Sequence, residues 1–288
     1  MKEMDEILKD ALSPTEYPSD QLNEKIMNRM KENGKMKRKN RTLAIAAYRY
    51  LHPKEVAETL KDEKLGEAFE QNGEEGIKTV IDGSYEVNYL GKVSGESISE
   101  RTGSAFDLHP ERTYIAIAIK RADGADITNA ENFFVSPLIQ GLKPWKYNIV
   151  TMHGSYMEKI IDGVLYRITE CDNIEIFADR KLYLAISDTT FFNENAFLYD
   201  ETTGLLSENT VYEGTNVLFP IQLDASKADP KKAKEYLEQL DKEWDSEEES
   251  SKESTTVKKS SKNLRIQQET FVDEENGITF HLPKYDSD

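Results

Sequence analysis

Apolar and polar side chains alternate in several short stretches from about residue 77 onwards, which is the pattern of half-buried β-strands. In "SYEVNYLGKVSG", Val87 and Tyr89 share one face of a strand, and "TYIAIAIKRADG" repeats the pattern with isoleucine at every second position. The pair Asp162-Gly163 separates "YMEKII" from "VLYRITE" and predicts a tight hairpin turn. Short strands without alternating helices predict an antiparallel sandwich or barrel. We expect a mainly β fold, an antiparallel β-sandwich of immunoglobulin-like form with flanking α-helices.

Helical periodicity flanks this β region on both sides. "LHPKEVAETLKDEKLGEAFE" has Pro53 at a first helical position, and after the strands Asp229 and Pro230 stand as N-cap and first helical residue. The second helix should dock on the sandwich through residues spaced at helical intervals, which are Ala233, Leu237, Leu240 and Trp244. The predicted β-sandwich domain with its two flanking helical regions therefore covers residues 53–242.

The first 34 residues carry two short amphipathic helical patterns, broken at Ser13-Pro14 and Pro18. Isolated helices of this length are marginal in water. Residues 1–34 are therefore either a disordered amphipathic tail or a pair of helices that binds a partner. The apolar residues that have no core of their own to cover them are Leu8, Leu12, Leu22, Ile26 and Met30.

A cationic run follows in "KMKRKNR", residues 35–41, and the apolar stretch Leu43 to Ala47 comes soon after it. This order is typical of the cytoplasmic flank of a membrane span. A span needs about 20 apolar residues, whereas this stretch supplies five. We interpret residues 35–52 as a basic linker with a truncated remnant of a membrane anchor.

The end of the chain differs in composition from the predicted β domain. Residues 243–263 are rich in Ser and charge and poor in apolar side chains, which predicts a linker. In residues 264–288, Asn276-Gly277 separates "TFV" from "ITFHL" and predicts a terminal hairpin. Since an isolated hairpin is marginally stable, it either adds to the main sheet, pairs with a partner or stays mobile.

The charge of the chain changes sign near residue 41. Residues 1–41 hold ten Lys and Arg against eight Asp and Glu, whereas residues 42–288 hold 27 against 46, a net charge of −19. An acidic surface repels phosphate backbones. We therefore expect no direct binding of nucleic acid.

The sequence offers little for catalysis. His153 lies two residues from Ser155, but no nucleophile elbow or third triad member accompanies them. Cys171 is the single cysteine, which excludes an intramolecular disulfide and a cysteine-based zinc site. We expect no enzymatic activity, no cofactor and no bound metal. Trp145 and Tyr147 are the aromatic candidates for contact with a ligand, although such residues more often fill a core.

Several stretches together resemble one family of membrane proteins of Gram-positive gut bacteria. The family carries an extracytoplasmic domain of unassigned function and is similar to anti-sigma factors of the extracytoplasmic-function type. The resemblance covers roughly residues 1–242. It rests on "MDEILKDALSPTEYPSDQLNEKIMNRMKE", "KMKRKNR", "YLHPKEVAETLKDEKLGEAFE", "FFVSPLIQGLKPWKYNI", "DGVLYRITECDNIEIFADRKLYLAISD" and "LDASKADPKKAKEYLEQL".

The resemblance implies a regulatory protein rather than an enzyme. Its N-terminal segment would bind a sigma factor in the cytoplasm, one helix would cross the cell membrane, and the β domain would act as a sensor or docking domain outside. The chain departs from this pattern because the expected span stops after Ala47, so we expect that the span was lost or was removed by engineering and that the chain as written is soluble. The alternative is a cell-surface module that binds a peptide, a glycan or an envelope component.

Overall fold

The computed structural model describes residues 50–95, 111–128, 131–253 and 268–283, all within the compact unit Tyr50–Asp288. The predicted sigma-factor-binding residues Leu8, Leu12, Leu22, Ile26 and Met30 lie outside the described residues, as do most of the basic linker and much of the predicted C-terminal linker.

Strands dominate the described part of the chain, as the period-two pattern predicts. The helices are α1 (Pro53–Thr59), α2 (Glu63–Asn72) and α3 (Pro230–Glu253). The strands are β1 (Glu74–Asp82), β2 (Tyr85–Ser94), β3 (Arg112–Arg121), β4 (Phe134–Ile139), β5 (Ser155–Ile161), β6 (Val164–Asp172), β7 (Leu182–Ser187), β8 (Phe197–Tyr199), β9 (Leu206–Glu208), β10 (Asn216–Ile221), β11 (Gln268–Asp273) and β12 (Ile278–Pro283).

Two antiparallel sheets account for ten of these strands. The larger sheet has the order β1-β2-β3-β6-β5-β12-β11, and the smaller has the order β10-β7-β4. The strands β8 and β9 form a separate hairpin. The mainly β, antiparallel prediction is confirmed, and no finding tests its immunoglobulin-like form.

The two sheets share one apolar core, which makes the arrangement a sandwich. Ile115, Ile117 and Ile119 of β3 are fully buried in the same cluster as Leu184 of β7 and Phe219 of β10. The isoleucines reach this core together because alternate residues of a strand point to the same face.

The opposite face of the larger sheet is covered by α1 and α2. Val56 of α1 and its C-cap residue Leu60 are buried in one cluster with Ala116 and Ala118 of β3. Small side chains at these strand positions let the helices approach the sheet closely. The described domain thus has three layers, a helix pair, a seven-stranded sheet and a three-stranded sheet.

Helix α3 follows the last strand of the smaller sheet and is longer than the sequence pattern indicates. Its N-cap is the predicted one, since the Asp229 carboxylate accepts a hydrogen bond from the Lys232 amide at 3.0 Å. The sequence pattern places the start of a linker at residue 243, whereas the helix continues to Glu253. From Asp245 to Glu253 the sequence consists of Asp, Glu, Ser and Lys, and Glu and Lys have high helix propensity. Among the described residues, no helix is both long and apolar enough to cross a membrane.

The predicted terminal hairpin is formed by β11 and β12 around Asn276 and Gly277. It adds to the main sheet, because β12 pairs with β5. Ile278 is buried in the core beneath α1 and α2, and Phe280 packs against the same core. Of the three alternatives for the hairpin, addition to the main sheet is the one that the structure shows.

Candidate functional site

A group of interacting charged side chains lies at one end of the larger sheet, where three strand ends meet. The tight turn at Asp162 and Gly163 fixes the pairing of β5 with β6, and this places Ser155 opposite Glu170. The pairing of β3 with β6 places Arg112 opposite Asp172. The strand register therefore brings a guanidinium, two carboxylates and a hydroxyl together at this end of the sheet.

His153, just before β5, completes the group from an unusual backbone conformation. Its φ angle is 50°, in the left-handed region that residues with a side chain seldom adopt. In this conformation, the Nδ1 atom lies 2.7 Å from Asp172 Oδ2, and the Nε2 atom lies 3.0 Å from Glu243 Oε2 of α3. Both ring nitrogens of His153 thus face a carboxylate.

Asp172 is the centre of the group. One of its carboxylate oxygens accepts a hydrogen bond from Arg112 Nη1 at 2.7 Å, and the other accepts one from the Tyr236 hydroxyl at 2.8 Å. Arg112 also donates to the carbonyl oxygen of His153 at 2.7 Å. These contacts hold the end of β6, the loop before β5 and helix α3 together. We call Arg112, His153, Asp172, Tyr236 and Glu243 the α3 clamp.

A second set of polar contacts supports the same helix at Asp241, between the clamp residues Tyr236 and Glu243. The Tyr147 hydroxyl donates to Asp241 Oδ1 at 2.5 Å, and Lys146 Nζ lies 2.8 Å from the same oxygen. Helix α3 is therefore attached to the sandwich by charged and hydroxyl groups as well as by the buried side chains of Ala233 and Leu240.

The electrostatics of the clamp favour a protonated imidazole. The hydrogen bond to Asp172 raises the pKa of His153, burial opposes this effect, and the charges of Asp172 and Glu243 add to it, so the pKa lies above its usual value. Burial and the neighbouring Asp172 carboxylate raise the pKa of the Tyr236 hydroxyl. The Tyr236 side chain therefore stays neutral and acts as a donor.

The geometry does not pair His153 with Ser155 as base and nucleophile. The Ser155 hydroxyl donates to Glu170 Oε1 at 2.5 Å, while the ring nitrogens of His153 face Asp172 and Glu243. Cys171 is fully buried, and burial raises the pKa of its thiol, which disfavours the reactive thiolate. No group of three or more His, Cys, Asp or Glu side chains among the described residues is placed to hold a metal ion. The arrangement can hold a proton between two carboxylates.

The two predicted ligand-binding aromatic residues have different surroundings. Trp145 is 38% exposed, and its ring meets that of Tyr199 edge to face at a centroid distance of 5.6 Å. Lys143 Nζ lies 5.8 Å from the centre of the Trp145 ring. Tyr147 is instead partly buried, and its hydroxyl is bonded to Asp241. The structure thus leaves Trp145 as an exposed aromatic surface and places Tyr147 in the attachment of α3.

Sequence reasoning missed the α3 clamp, although one signal for it was present. The turn at Asp162 and Gly163 pairs Ile161 with Val164, and the same register continues residue by residue to Ser155 and Glu170. Extending this pairing by two residues places His153 opposite Asp172. The contribution of Glu243 from α3 had no comparable signal, because it depends on how a distant helix docks.

Comparison with known proteins yields no match to a family model, to a curated protein or to a solved structure.

Proposed function

We propose that this chain is a regulatory, non-enzymatic protein of the anti-sigma-factor type. Residues 1–34 bind a sigma factor in the cytoplasm, and the β domain senses or docks a component outside the cell. The native form is anchored in the cell membrane by a single span that follows the basic run. The proposal starts from the sequence resemblance and from the amphipathic pattern of the first 34 residues.

The structural observation that supports this proposal best is the way the chain joins the sheet. The hydroxyl of Tyr50, the first described residue, donates to Glu86 Oε1 of β2 at 2.5 Å. The Leu51 amide donates to the Tyr166 hydroxyl of β6 at 3.4 Å, and Lys120 of β3 forms an ion pair with Glu86 at 2.9 Å. Three strands of the sheet are thereby linked to the segment that precedes α1.

Such a junction suits a signalling protein, because a stimulus must reach the sigma-factor-binding segment through a connected element with two states. Tyr50 and Leu51 contact β2 and β6 through these hydrogen bonds, and Lys120 Nζ of β3 lies 5.4 Å from the centre of the Tyr50 ring. We therefore expect a displacement of these strands to act on Tyr50.

The experiment is capture of candidate sigma factors from the same organism by the full chain and by two variants. Ile26→Asp places a charge on the proposed binding face and should abolish capture. The matched control, Val211→Asp, changes an exposed residue of the β domain, 81% accessible, and should leave capture unchanged. Capture by Ile26→Asp at the level of the unchanged chain would contradict the assignment.

The second candidate is a cell-surface module for a peptide, a glycan or an envelope component, and the exposed Trp145 ring favours it. Aromatic faces supported by a second ring bind sugars and apolar side chains at low entropic cost. If this candidate is right, Trp145→Ala should weaken the affinity for isolated cell-envelope material at least tenfold. Phe191→Ala, which changes another exposed aromatic residue, should leave that affinity unchanged. Equal binding by both variants would count against it.

A further inference from the structure

The α3 clamp cannot keep all its contacts in both protonation states of His153. A neutral imidazole carries one N–H and one lone pair, whereas the charged ring carries two N–H groups. Both nitrogens of His153 face carboxylate oxygens, at 2.7 and 3.0 Å. Only the charged ring donates to both, and a neutral ring must point a lone pair at one of the two carboxylates.

We propose that the α3 clamp is a latch operated by protons: it holds the C-terminal part of α3 when His153 is charged and releases Glu243 when the ring is neutral. The latch exists whether or not residues 1–34 bind a sigma factor. The further step, that its opening is a signal which the β domain senses, rests on the proposed function.

The charged and titratable groups around His153 decide which contact opens. From β6, Asp172 accepts from His153, Arg112 and Tyr236, and Glu170 pairs with Arg112 at 3.2 Å. From α3, Glu243 accepts from His153 and from Gln239. Asp172 is the more buried carboxylate, since its side chain is 20% exposed against 41% for Glu243. The remaining proton therefore stays on Nδ1, toward Asp172, and Glu243 faces the lone pair.

The sign of the pH dependence follows from the raised pKa of His153. A group whose pKa is higher in the folded state stabilises that state at pH values below its unfolded pKa, about 6.5 for histidine. This stabilisation disappears as the pH rises through the higher, folded pKa. The latch is closed in mild acid and opens toward alkaline pH.

The release is local to the end of α3. The bond from Tyr236 to Asp172 and the contacts of Asp241 with Lys146 and Tyr147 do not involve the imidazole proton. They lie on the N-terminal side of Glu243 along the helix. Lys146 Nζ also lies 5.9 Å from the centre of the Trp244 ring, and this contact does not depend on the imidazole proton either. Opening therefore releases the Glu243 side chain and weakens the attachment of the helix end that follows it, while the first half of the helix stays on the sandwich.

Amide hydrogen exchange of the full chain at pH 6 and pH 8, corrected for intrinsic exchange rates, tests the latch. Protection of residues 243–253 should be about two- to fivefold higher at pH 6, the size of effect of an exposed ion pair. His153→Asn tolerates the left-handed backbone but does not titrate, and it should remove the pH dependence. Glu243→Gln should also remove it, because an amide can donate to the neutral ring.

The control variant is His52→Asn, which replaces another histidine, the N-cap residue of α1, and should keep the pH dependence of the unchanged chain. Equal protection of residues 243–253 at both pH values in the unchanged chain would overturn the latch, as would a pH dependence that survives in His153→Asn. The measurement needs no sigma factor. Failure of sigma-factor capture would leave the latch standing, and failure of the latch would leave capture standing.

Discussion

At the residue scale, the most demanding feature of the core is a charged pair inside the sandwich. Arg167 of β6 and Glu158 of β5 have side chains that are 2% and 4% exposed, and Arg167 donates to Glu158 Oε2 through Nε at 2.9 Å and Nη2 at 2.6 Å. Arg167 Nη1 donates to the Phe133 carbonyl at 2.8 Å, and the guanidinium lies 4.0 Å from the centre of the Tyr156 ring. Two charges are tolerated here because their hydrogen bonds are made.

Glu158→Ala should destabilise the domain by about 3–5 kcal/mol, because it leaves the Arg167 charge buried without its partner. Burial alone would raise the pKa of Glu158, but Arg167 and His281 bring it below its usual value. The carboxylate therefore stabilises the fold at neutral pH, and the difference between the unchanged chain and the variant should shrink as the pH falls through that lowered pKa. Urea unfolding at several pH values measures both effects.

The control for this prediction is Glu235→Ala, which breaks the exposed pair of Lys231 and Glu235 at 3.7 Å. Exposed pairs contribute little, so this variant should change the unfolding free energy by less than about 1 kcal/mol. Similar losses in the two variants would show that Glu158 does not act through a buried charge.

At the element scale, the hairpin between β5 and β6 shows what local sequence determines. Asp162 and Gly163 both have positive φ, 49° and 76°, as the two central residues of a type I′ turn require. The Asp-Gly pair therefore predicted the turn and the antiparallel pairing, whereas the contact of His153 with Asp172 was not predicted. The turn type and the strand register that follows from it depend on residues close together in the sequence.

Gly163→Ala should destabilise the hairpin for two separable reasons. Its backbone conformation is unfavourable for a residue with a side chain, and an added Cβ would lie 2.3 Å from Asp126 Oδ1. Gly124→Ala shares the first cost, since φ is 78°, but a Cβ there meets nothing within 4 Å. We expect a loss of about 1 kcal/mol for Gly124→Ala and about 2–3 kcal/mol for Gly163→Ala, measured by thermal unfolding. Equal losses of stability in the two variants would show that the close approach to Asp126 does not contribute.

At the scale of the whole molecule, the sequence predicted a mainly β, antiparallel fold with flanking helices, but not that a helix pair covers the outer face of the larger sheet. The isoleucines of β3 pointed to one buried face, while Ala116 and Ala118 between them gave no clear sign that the other face is buried too. That face is covered because α1 and α2 dock on it, which is a contact between segments distant in sequence. The same limit applies to Glu243 and Tyr236, whose part in the α3 clamp depends on the docking of α3.

The proposed function gives the chain two separate activities, capture of a sigma factor by the N-terminal segment and sensing by the β domain. The most direct test is to compare a peptide of residues 1–41 with a protein of residues 42–288 for capture of a sigma factor encoded beside this chain. The proposed function predicts capture by the peptide and none by residues 42–288. Capture by residues 42–288 alone, or by neither piece nor the full chain, would contradict it.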